Sequence, residues 1–170
     1  REIKVRYFSN EVNKRCSLMK EMHVEEGAKR DYEKLAGFHY RDSRLVAYHK
    51  IFVLKRGNET AGVIVYSSPP LTVFGRRKAF GRSLSIPEIN QHLTRISRVV
   101  VHPKYRTIGL GVKLVRETLP LAGKPYVETM AVMAKYNPFF ERAGMKKVAI
   151  SKPNPEILNA VEKLRAFGFN

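Results

Sequence analysis

One segment of the sequence combines residues that could hold a phosphate group. A hydrophobic run, 96–102, leads into the pattern Arg106-x-x-Gly109-x-Gly111, which opens a helix predicted over about 109–119. Backbone N–H groups are free at the start of a helix, where its dipole is positive, and glycines let the backbone approach an anion closely. The guanidinium of Arg106 adds a permanent charge. The segment therefore predicts a phosphate-binding turn; the alternative is an ordinary strand-to-helix turn.

A basic loop between two predicted strands supplies the second group of candidates. Residues 68–91 contain Pro69-Pro70 and two glycines, and we expect a long irregular connection. The candidate substrate-binding residues are its cations: Arg76, Arg77, Lys78 and Arg82. Phe74 and Phe80 lie among them, and cations interspersed with rings are typical of surfaces that bind single-stranded nucleic acid or flipped bases. The alternative is a solvated loop with both rings in the core.

The overall charge also favours an anionic partner. The chain of 170 residues carries 32 Lys and Arg against 15 Asp and Glu, a net charge of +17. Hydrophobic residues make up 44% of the chain, which argues against disorder. Clustered cations attract phosphates through long-range attraction and counterion release. The sign does not distinguish a nucleic acid from a phosphorylated cofactor, and a solvated basic surface is the alternative.

Composition excludes several classes of protein. The single cysteine, Cys16, rules out an internal disulfide framework and fits a reducing compartment. No apolar run approaches the roughly 18 residues of a transmembrane helix. We therefore expect one cytoplasmic domain, 1–170, with no membrane association. Because the chain starts at Arg1, we also expect it to be a processed product or a domain of a longer protein.

The predicted elements follow the order βααββ, long loop, βαβαβα, which indicates a mixed α/β domain. The predicted strands are 3–8, 46–54, 61–67, 96–102, 126–132 and 146–150. Five helices are predicted. The first follows a cap at Ser9 and Asn10, the next three cover about 25–37, 109–119 and 138–143, and the last begins at Pro155. The second and third strands should form an antiparallel hairpin. The last helix should turn Ile157, Leu158, Val161 and Leu164 inward.

The phosphate-binding turn resembles a known motif. Val101-x-Pro-x-Tyr-Arg-x-x-Gly-x-Gly after a strand is similar to the acetyl-CoA pyrophosphate loop of the GNAT superfamily of N-acetyltransferases. Residues 137–145, Asn-Pro-Phe-Phe-Glu-Arg-Ala-Gly-Met, resemble the next motif of that superfamily. The resemblance covers about 3–150. It implies an α/β GNAT fold, in which helices flank a mixed, mostly antiparallel sheet with a splayed central strand pair, and an acetyl-CoA-dependent N-acyltransferase.

The resemblance also implies which residues bind acetyl-CoA. The pantetheine arm would pair with strand 99–101, and the pyrophosphate would lie on residues 106–111. Asn137 would reach the arm and Phe140 would pack beside it. The implied cofactor-binding residues are Val99, Val101, Arg106, Thr107, Gly109, Leu110, Gly111, Asn137 and Phe140.

Acid–base catalysis is assigned by chemistry and position. Many relatives place a tyrosine where this chain has Phe140, which cannot donate a proton, and Tyr136 one turn earlier could replace it. His39 and Tyr40 follow the second helix on the side that faces the acceptor in this superfamily, and an imidazole suits a base near neutral pH. Glu128 is a reserve base. We predict no metal site, because the C-terminal half contains no Asp to complete one around His39 and Tyr40.

A narrower resemblance joins several short segments. Residues 38–40, the basic loop, 95–103 and 136–140 are similar to the branch that holds the acetyltransferase-like domains fused to archaeal ABC-type ATPases and the phage DNA-modification protein Mom. This implies an ABC-type ATPase domain in the same chain, and a C-terminal helical extension, 151–170. The acceptor is then expected to be DNA, RNA or another nucleotide-bearing molecule. A non-catalytic nucleic-acid-binding module and an acetyltransferase for a small amine or a protein remain the alternatives.

Overall fold

A five-stranded sheet with the order β1-β2-β3-β4-β5 forms the centre of this computed structural model, which describes residues 17–39, 44–45, 47–131, 136–150 and 155–168. The strands are β1 (Met22–Glu26), β2 (Tyr48–Arg56), β3 (Glu59–Ser67), β4 (Leu93–Val101) and β5 (Tyr126–Glu128). The first four pair antiparallel in sequence order, whereas β5 is parallel to β4. The predicted α/β class, the mixed and mostly antiparallel sheet, and the β2–β3 hairpin are confirmed.

Helices cover both faces of the sheet. They are α1 (Ser17–Lys20), α2 (Lys29–Ala36), α3 (Arg76–Phe80), α4 (Ile86–His92), α5 (Leu110–Thr118), α6 (Phe139–Arg142) and α7 (Pro155–Ala166). The apolar side of α5 packs on one face, where Leu110, Leu114 and Val115 are buried. On the opposite face, α2 buries Tyr32 and Leu35 against alternate residues of the same strands. The sheet is therefore the middle layer, and its two cores hold β4 in place from both sides.

Two regions differ from the sequence-based expectation near the ends of the sheet. The helix predicted over about 25–37 is present as α2 but begins only at Lys29, because residues 22–26 pair along their length with β2 as edge strand β1. Gly27 then ends the strand at a point where a Cβ would lie 2.6 Å from Val53 Cγ1. Residues 146–150 form no strand; Ala149 instead lies against Gly75, just before α3, where a Cβ on the glycine would be 2.8 Å from that of Ala149. The predicted strand 3–8 and the cap at Ser9 and Asn10 lie outside the described residues.

The basic loop is more ordered than expected, since residues 68–91 contain α3 and most of α4. Gly75 and Gly81 flank α3 with φ of 90° and 70°, conformations that favour glycine. A capping box between Ser85 and Glu88 starts α4. The last helix begins at Pro155 as predicted, but Val161 and Leu164 are exposed rather than inward. The spacing of the apolar residues predicted an apolar face on this helix, but it could not predict which part of the protein would pack against that face.

Candidate active site

A β-bulge at Ser97 interrupts the register of β4 against β3. The register of β4 against β3 shifts between Ile96, which faces Tyr66, and Arg98, which faces Val65. The Ser97 hydroxyl bonds to the Val65 carbonyl at 3.2 Å and to the Ser67 hydroxyl at 2.7 Å, so the bulge is held by side-chain hydrogen bonds. Bulges bend a strand and increase its local twist. The parallel pairing with β5 covers only Leu93 to Arg95, and just beyond it the Thr129 hydroxyl donates to the Ile96 carbonyl at 3.2 Å.

Beyond Arg95, this edge of β4 has no strand partner among the described residues. Val99 to Val101 pair with β3 on their other side, and no described strand pairs with them on the side that faces β5. The side chains of Val99 and Val101 pack into the core under α5, whereas Val100 packs on the α2 face. What these residues can offer on this side is therefore backbone N–H and C=O groups, of which the Val101 carbonyl already accepts from Arg106 Nε. Such an edge fits an extended amide-containing chain, as expected for the pantetheine arm.

The turn after β4 concentrates free backbone donors. Within the described parts of the chain, none of the backbone N–H groups of residues 107–112 has a hydrogen-bond acceptor, and the first N–H used by α5 is that of Lys113, bonded to the Gly109 carbonyl. Arg106, Thr107 and Gly109 are exposed, while the side chain of Leu110 is buried. Successive N–H groups at a helix N-terminus form a concave anion site. The residues fit a pyrophosphate.

Backbone strain supports the interpretation of the turn as a phosphate-binding site. Thr107 has a φ of 72°, a left-handed conformation that is rare for a β-branched residue. Strain of this kind costs about 1–3 kcal/mol and concentrates at functional sites. Gly109 has a φ of 91°, and a Cβ added to it would meet no atom within 4 Å, so that side of the turn is open. Position 109 therefore favours glycine for two reasons: the backbone conformation is left-handed, and no Cβ blocks the open side of the turn.

Gly111 has a different role from the one expected. A Cβ added to Gly111 would point at the ring of Phe139, 3.4 Å from its Cδ2 atom, rather than toward the open side of the turn. The glycine thus allows α5 to lie close to α6. The expectation that the Gly111 side of the helix admits the phosphate is corrected; only its backbone N–H remains a donor for the cofactor.

Arg106 joins the turn to the loop that carries His39. Its Nε donates to the Val101 carbonyl at 3.2 Å, and one Nη donates to the Phe38 carbonyl at 3.4 Å. The ring of Phe38 also packs edge-on against His102, with 5.1 Å between centroids. His102 Nδ1 accepts from the backbone N–H of Lys104, so this histidine shapes the turn, as expected. The structure thus brings half-buried His39 to the same end of β4 as the phosphate-binding turn, whereas Tyr40 lies outside the described residues.

The second motif lies beside the first. Asn137 and Tyr136 are exposed, Tyr136 by 76%, and they precede α6. The rings of Phe139 and Phe140 lie 4.1 Å apart and pack against the core under α5. Arg116 of α5 donates to the Arg142 carbonyl at 2.7 Å and fixes the two helices together. The structure therefore places α6 against the helix that begins at the turn, with Tyr136 at the surface.

Arg76 does not lie at the surface as expected. Its side chain is 7% exposed and forms a two-point ion pair with Glu128 at the end of β5, with Nε–Oε2 and Nη–Oε1 distances of 3.1 and 2.7 Å. It also donates to the carbonyls of Pro70 and Leu71. The guanidinium is thus used to bind the loop to the sheet, so Arg76 is corrected from a phosphate contact to a structural residue. Glu128, the reserve base, is occupied by the same pair.

The other three cations of the loop remain at the surface. Arg82 forms a two-point pair with Glu88, at 3.2 and 2.6 Å. This pair, together with the hydrogen bonds from Ser85, lowers the pKa of Glu88 to about 2. Arg77 and Lys78 are exposed, and neither has a carboxylate partner among the described residues. The cations available to an anionic partner on α3 are therefore Arg77 and Lys78.

A cavity of about 630 Å³ lies next to the loop. It is bounded by β5, α3 and residues 144–149, and Phe140 lies at its wall. No residue of 99–111 lines it, so it is separate from the phosphate-binding turn. Among the described residues, no three His, Cys, Asp or Glu side chains come together as metal ligands, and no helix is long and apolar enough to span a membrane.

Comparisons with known proteins agree with the resemblance of the sequence motifs. The model of the Acetyltransferase (GNAT) family matches residues 15–145. A comparison with curated proteins finds no match. Similar solved structures include aminoglycoside 6'-N-acetyltransferase AAC(6')-IG from Acinetobacter haemolyticus, which has a TM-score of 0.54 at 10% identity, with 78% of this chain and 96% of that one covered.

Two further structures resemble the chain to a similar extent. A Trypanosoma brucei acetyltransferase has a TM-score of 0.50 at 17% identity and covers 78% of this chain and 98% of its own. Aminoglycoside N-acetyltransferase AAC(6')-Iy, in complex with CoA, has a TM-score of 0.54 at 12% identity, with coverage of 78% and 97%. At these identities the likeness concerns the fold alone.

Proposed function

Because the chain belongs to the GNAT acetyltransferase family, we propose that it transfers the acetyl group of acetyl-CoA to an amine of a nucleic acid or of a nucleotide-bearing molecule. Acetyl-CoA is the cosubstrate, and the enzyme is an N-acetyltransferase. The family fixes the donor and the reaction. The acceptor is the part that we infer from this chain's own residues.

The observation that carries the acceptor assignment is the exposed face of α3. Arg77 and Lys78 are free of carboxylates among the described residues, and Phe74, 62% exposed, lies just before the helix. Phosphates contact such cations, and bases stack on exposed rings. The pairing of Arg76 and Arg82 with acids reduces the number of available cations but leaves this face positive.

The transfer itself needs orientation and one proton transfer. Acetyl-CoA supplies a thioester carbonyl and a thiolate that can leave. Backbone N–H groups on the free edge of β4 can stabilise the negative charge that develops on the carbonyl oxygen. An ammonium acceptor must lose a proton before it attacks, and His39, held near Arg106 through Phe38, is our candidate for that base. Tyr136 at the start of the second motif is our candidate for protonating the thiolate.

A direct test is to incubate the protein with acetyl-CoA and single-stranded or duplex DNA or RNA. Digestion to nucleosides and mass spectrometry should reveal an acetylated nucleoside. The absence of any such product, with acetyl-CoA still bound, would overturn the acceptor assignment.

Salt dependence tests the contact face separately. Replacing Arg77 and Lys78 with Ala should flatten the log–log salt slope of nucleic-acid binding by about 1.4 on single strands and about 1.8 on duplex, because each lost phosphate contact contributes about 0.7 or 0.9. Lys20→Ala with Arg30→Ala is the matched control, since both are exposed cations without a carboxylate partner among the described residues. An equal change in both pairs would show that only overall charge matters.

A small amine is the second candidate acceptor. The observation that favours it is the cavity beside β5, whose volume of about 630 Å³ lies in the range of small-molecule sites. Two of the similar structures are, by their names, aminoglycoside N-acetyltransferases. Turnover of a panel of aminoglycosides and polyamines, in the absence of nucleic acid, would favour this candidate.

A further inference from the structure

Buried side chains hold the phosphate-binding turn on both sides of its strained residue. Tyr105 and Leu110 are buried in the core under α5. Thr107 lies between them with its φ of 72°. A residue keeps such a conformation only where the surrounding structure over-determines it. The shape of the turn therefore depends on how firmly Tyr105 and Leu110 are anchored.

A carboxylate from a distant part of the chain anchors Tyr105. The phenol hydroxyl donates to Glu59 Oε2 at 2.5 Å, across 46 positions of the sequence. Glu59 is the first residue of β3 and directly follows the β2–β3 turn. The neighbouring part of β3 is fixed to the end of β4, because the His102 backbone N–H donates to the Ala61 carbonyl at 2.9 Å. The sheet thus holds Glu59 in place, and Glu59 holds the tyrosine.

Lys104 joins the same contact. Its ammonium lies 3.5 Å from Glu59 Oε1 and 5.2 Å from the centre of the Tyr105 ring. The hydrogen bond from Tyr105 and the charge of Lys104 hold the pKa of Glu59 below its ordinary value, so the hydroxyl donates to an ionised carboxylate at neutral pH. Hydrogen bonds to an ionised acceptor are stronger than neutral ones. One carboxylate therefore holds two residues of the 3₁₀ turn, Pro103–Tyr105, that leads into the phosphate-binding turn.

Glu59 is an acid in a region that binds an anion. A carboxylate near the phosphates of CoA weakens their binding by repulsion. A positioning role acts in the opposite direction, because it keeps the N–H groups of residues 107–112 in one arrangement before the ligand arrives. The two effects differ in sign, so the net effect of removing Glu59 on CoA affinity separates them.

We propose that Glu59 is a positioning residue for acetyl-CoA, which fixes the phosphate-binding turn through the hydroxyl of Tyr105. Without this hydrogen bond the turn relaxes the strain at Thr107 in the free protein, and CoA has to restore it on binding. Glu59 acts through the tyrosine rather than on the cofactor. The proposal concerns the donor side of the reaction and does not depend on the acceptor.

Removing the tyrosine hydroxyl alone is the first test. Tyr105→Phe keeps the buried ring and should raise the Kd for CoA about tenfold in isothermal titration, because restoring a strained residue costs about that factor. Tyr66→Phe is the matched control, since Tyr66 lies in the same core and its hydroxyl is hydrogen-bonded to that of Thr118 at 2.8 Å. It should lower Tm and leave the Kd unchanged. An unchanged Kd in Tyr105→Phe, or an equal rise in both variants, would overturn the proposal.

Substitutions of Glu59 test the sign of its effect. Glu59→Ala should weaken CoA binding as much as Tyr105→Phe does, although it removes a negative charge. Glu21→Ala, which removes another half-exposed acid near the hairpin, paired with Arg56, should not weaken it. Tighter binding in Glu59→Ala would show that the acid only repels the cofactor, and the positioning role would be wrong.

The conservative variant separates the hydrogen bond from the charge. Glu59→Gln keeps an oxygen that can accept from Tyr105 and loses only the exposed ion pair with Lys104, which contributes little. Its affinity for CoA should equal or exceed that of the unsubstituted protein. A loss as large as that in Glu59→Ala would contradict a role through the tyrosine hydroxyl.

A double variant links the two residues. If Glu59 acts through the hydroxyl, Tyr105→Phe with Glu59→Ala should bind CoA no more weakly than Tyr105→Phe alone. Additive losses would show two independent roles and overturn the proposal. Thermal unfolding of each variant checks its fold, and if Glu59→Ala does not fold, Tyr105→Phe and Glu59→Gln decide the question. Gly109→Ala serves as the positive control, because its added Cβ lies in the turn itself.

Discussion

A methyl group at Gly109 should weaken CoA binding at the phosphate-binding turn and leave the rest of the fold intact. The position has a φ of 91° and no atom within 4 Å of an added Cβ, so Gly109→Ala costs only the left-handed strain, about 1–2 kcal/mol. For a chain of this size that corresponds to a fall in Tm of about 2–4 °C for each kcal/mol. The new methyl group occupies the open side that a phosphate must approach. The protein should therefore fold but bind CoA poorly.

The magnitude follows from the donors in the turn. Residues 107–112 offer six backbone N–H groups without acceptors among the described residues. If the methyl group moves the pyrophosphate away from two of them, and each charge-assisted hydrogen bond contributes about 1.5 kcal/mol, the loss is about 3 kcal/mol. That equals roughly a 100-fold rise in Kd. Isothermal titration with CoA, alongside thermal unfolding, measures both quantities.

Two controls make the result interpretable. Gly57 also has a positive φ, 54°, and open space around it, but it lies in the β2–β3 turn, so Gly57→Ala should lower Tm and leave the Kd for CoA unchanged. Gly111→Ala places its methyl group against Phe139 at an ordinary contact distance and should change the Kd by less than about threefold. A Kd for CoA that is unchanged in folded Gly109→Ala, or raised equally in Gly57→Ala, would refute the location of the phosphate site.

Three further changes test the surroundings. Arg76→Met should destabilise the fold by about 3–5 kcal/mol in urea unfolding, because it leaves the Glu128 carboxylate mostly buried and unpaired. Adding Glu128→Gln should recover much of the lost stability. No recovery would show that the two residues do not act as a pair. Because the pKa of Glu88 is lowered, its stabilising contribution is complete above its unfolded pKa of about 4.3 and is lost as the pH falls toward 2. The difference in unfolding free energy between the protein and Glu88→Gln should therefore vanish over that range. A constant difference would contradict the ion pair of Glu88 with Arg82. His39→Ala and Tyr136→Phe should each lower kcat by about 10²–10⁴ without changing the Kd for CoA, and full activity in both would reject their roles.

The parts of the site that depend on local sequence could be predicted from it. The spacing of Arg106, Gly109 and Gly111 after a hydrophobic run was enough to locate the strand, the turn and the helix start, because all three follow from backbone geometry within one segment. Even there, sequence did not separate the two glycines. The close approach of Gly111 to Phe139 depends on how α6 packs, and no local pattern contains that information.

Features that depend on pairing between distant segments could not be predicted in this way. Residues 22–26 contain acids and end near a helix, and only pairing with β2 makes them a strand. Arg76 looks like any surface cation in its Arg-Arg-Lys run, yet its partner, Glu128, lies 52 positions away. The sequence shows only that Arg76 directly follows Gly75, and the structure adds that this glycine is packed against Ala149. That adjacency is interpretable only with the fold in hand.

The ion pair of Arg76 connects the basic loop to the end of β5. The pairing of β4 with β5 ends at Arg95 and Glu128, and each strand is fixed near that point by a different device. In β4 it is the bulge, held by the Ser97 hydroxyl on the Val65 carbonyl. In β5 it is the last paired residue, Glu128, held by Arg76 from outside the sheet. Because α3 carries Arg76 on its inner side and Arg77 and Lys78 on its outer side, an anion bound to the outer side would act on the same short helix that sets the position of β5. The basic face of α3 and the end of β5 are therefore joined through one ion pair.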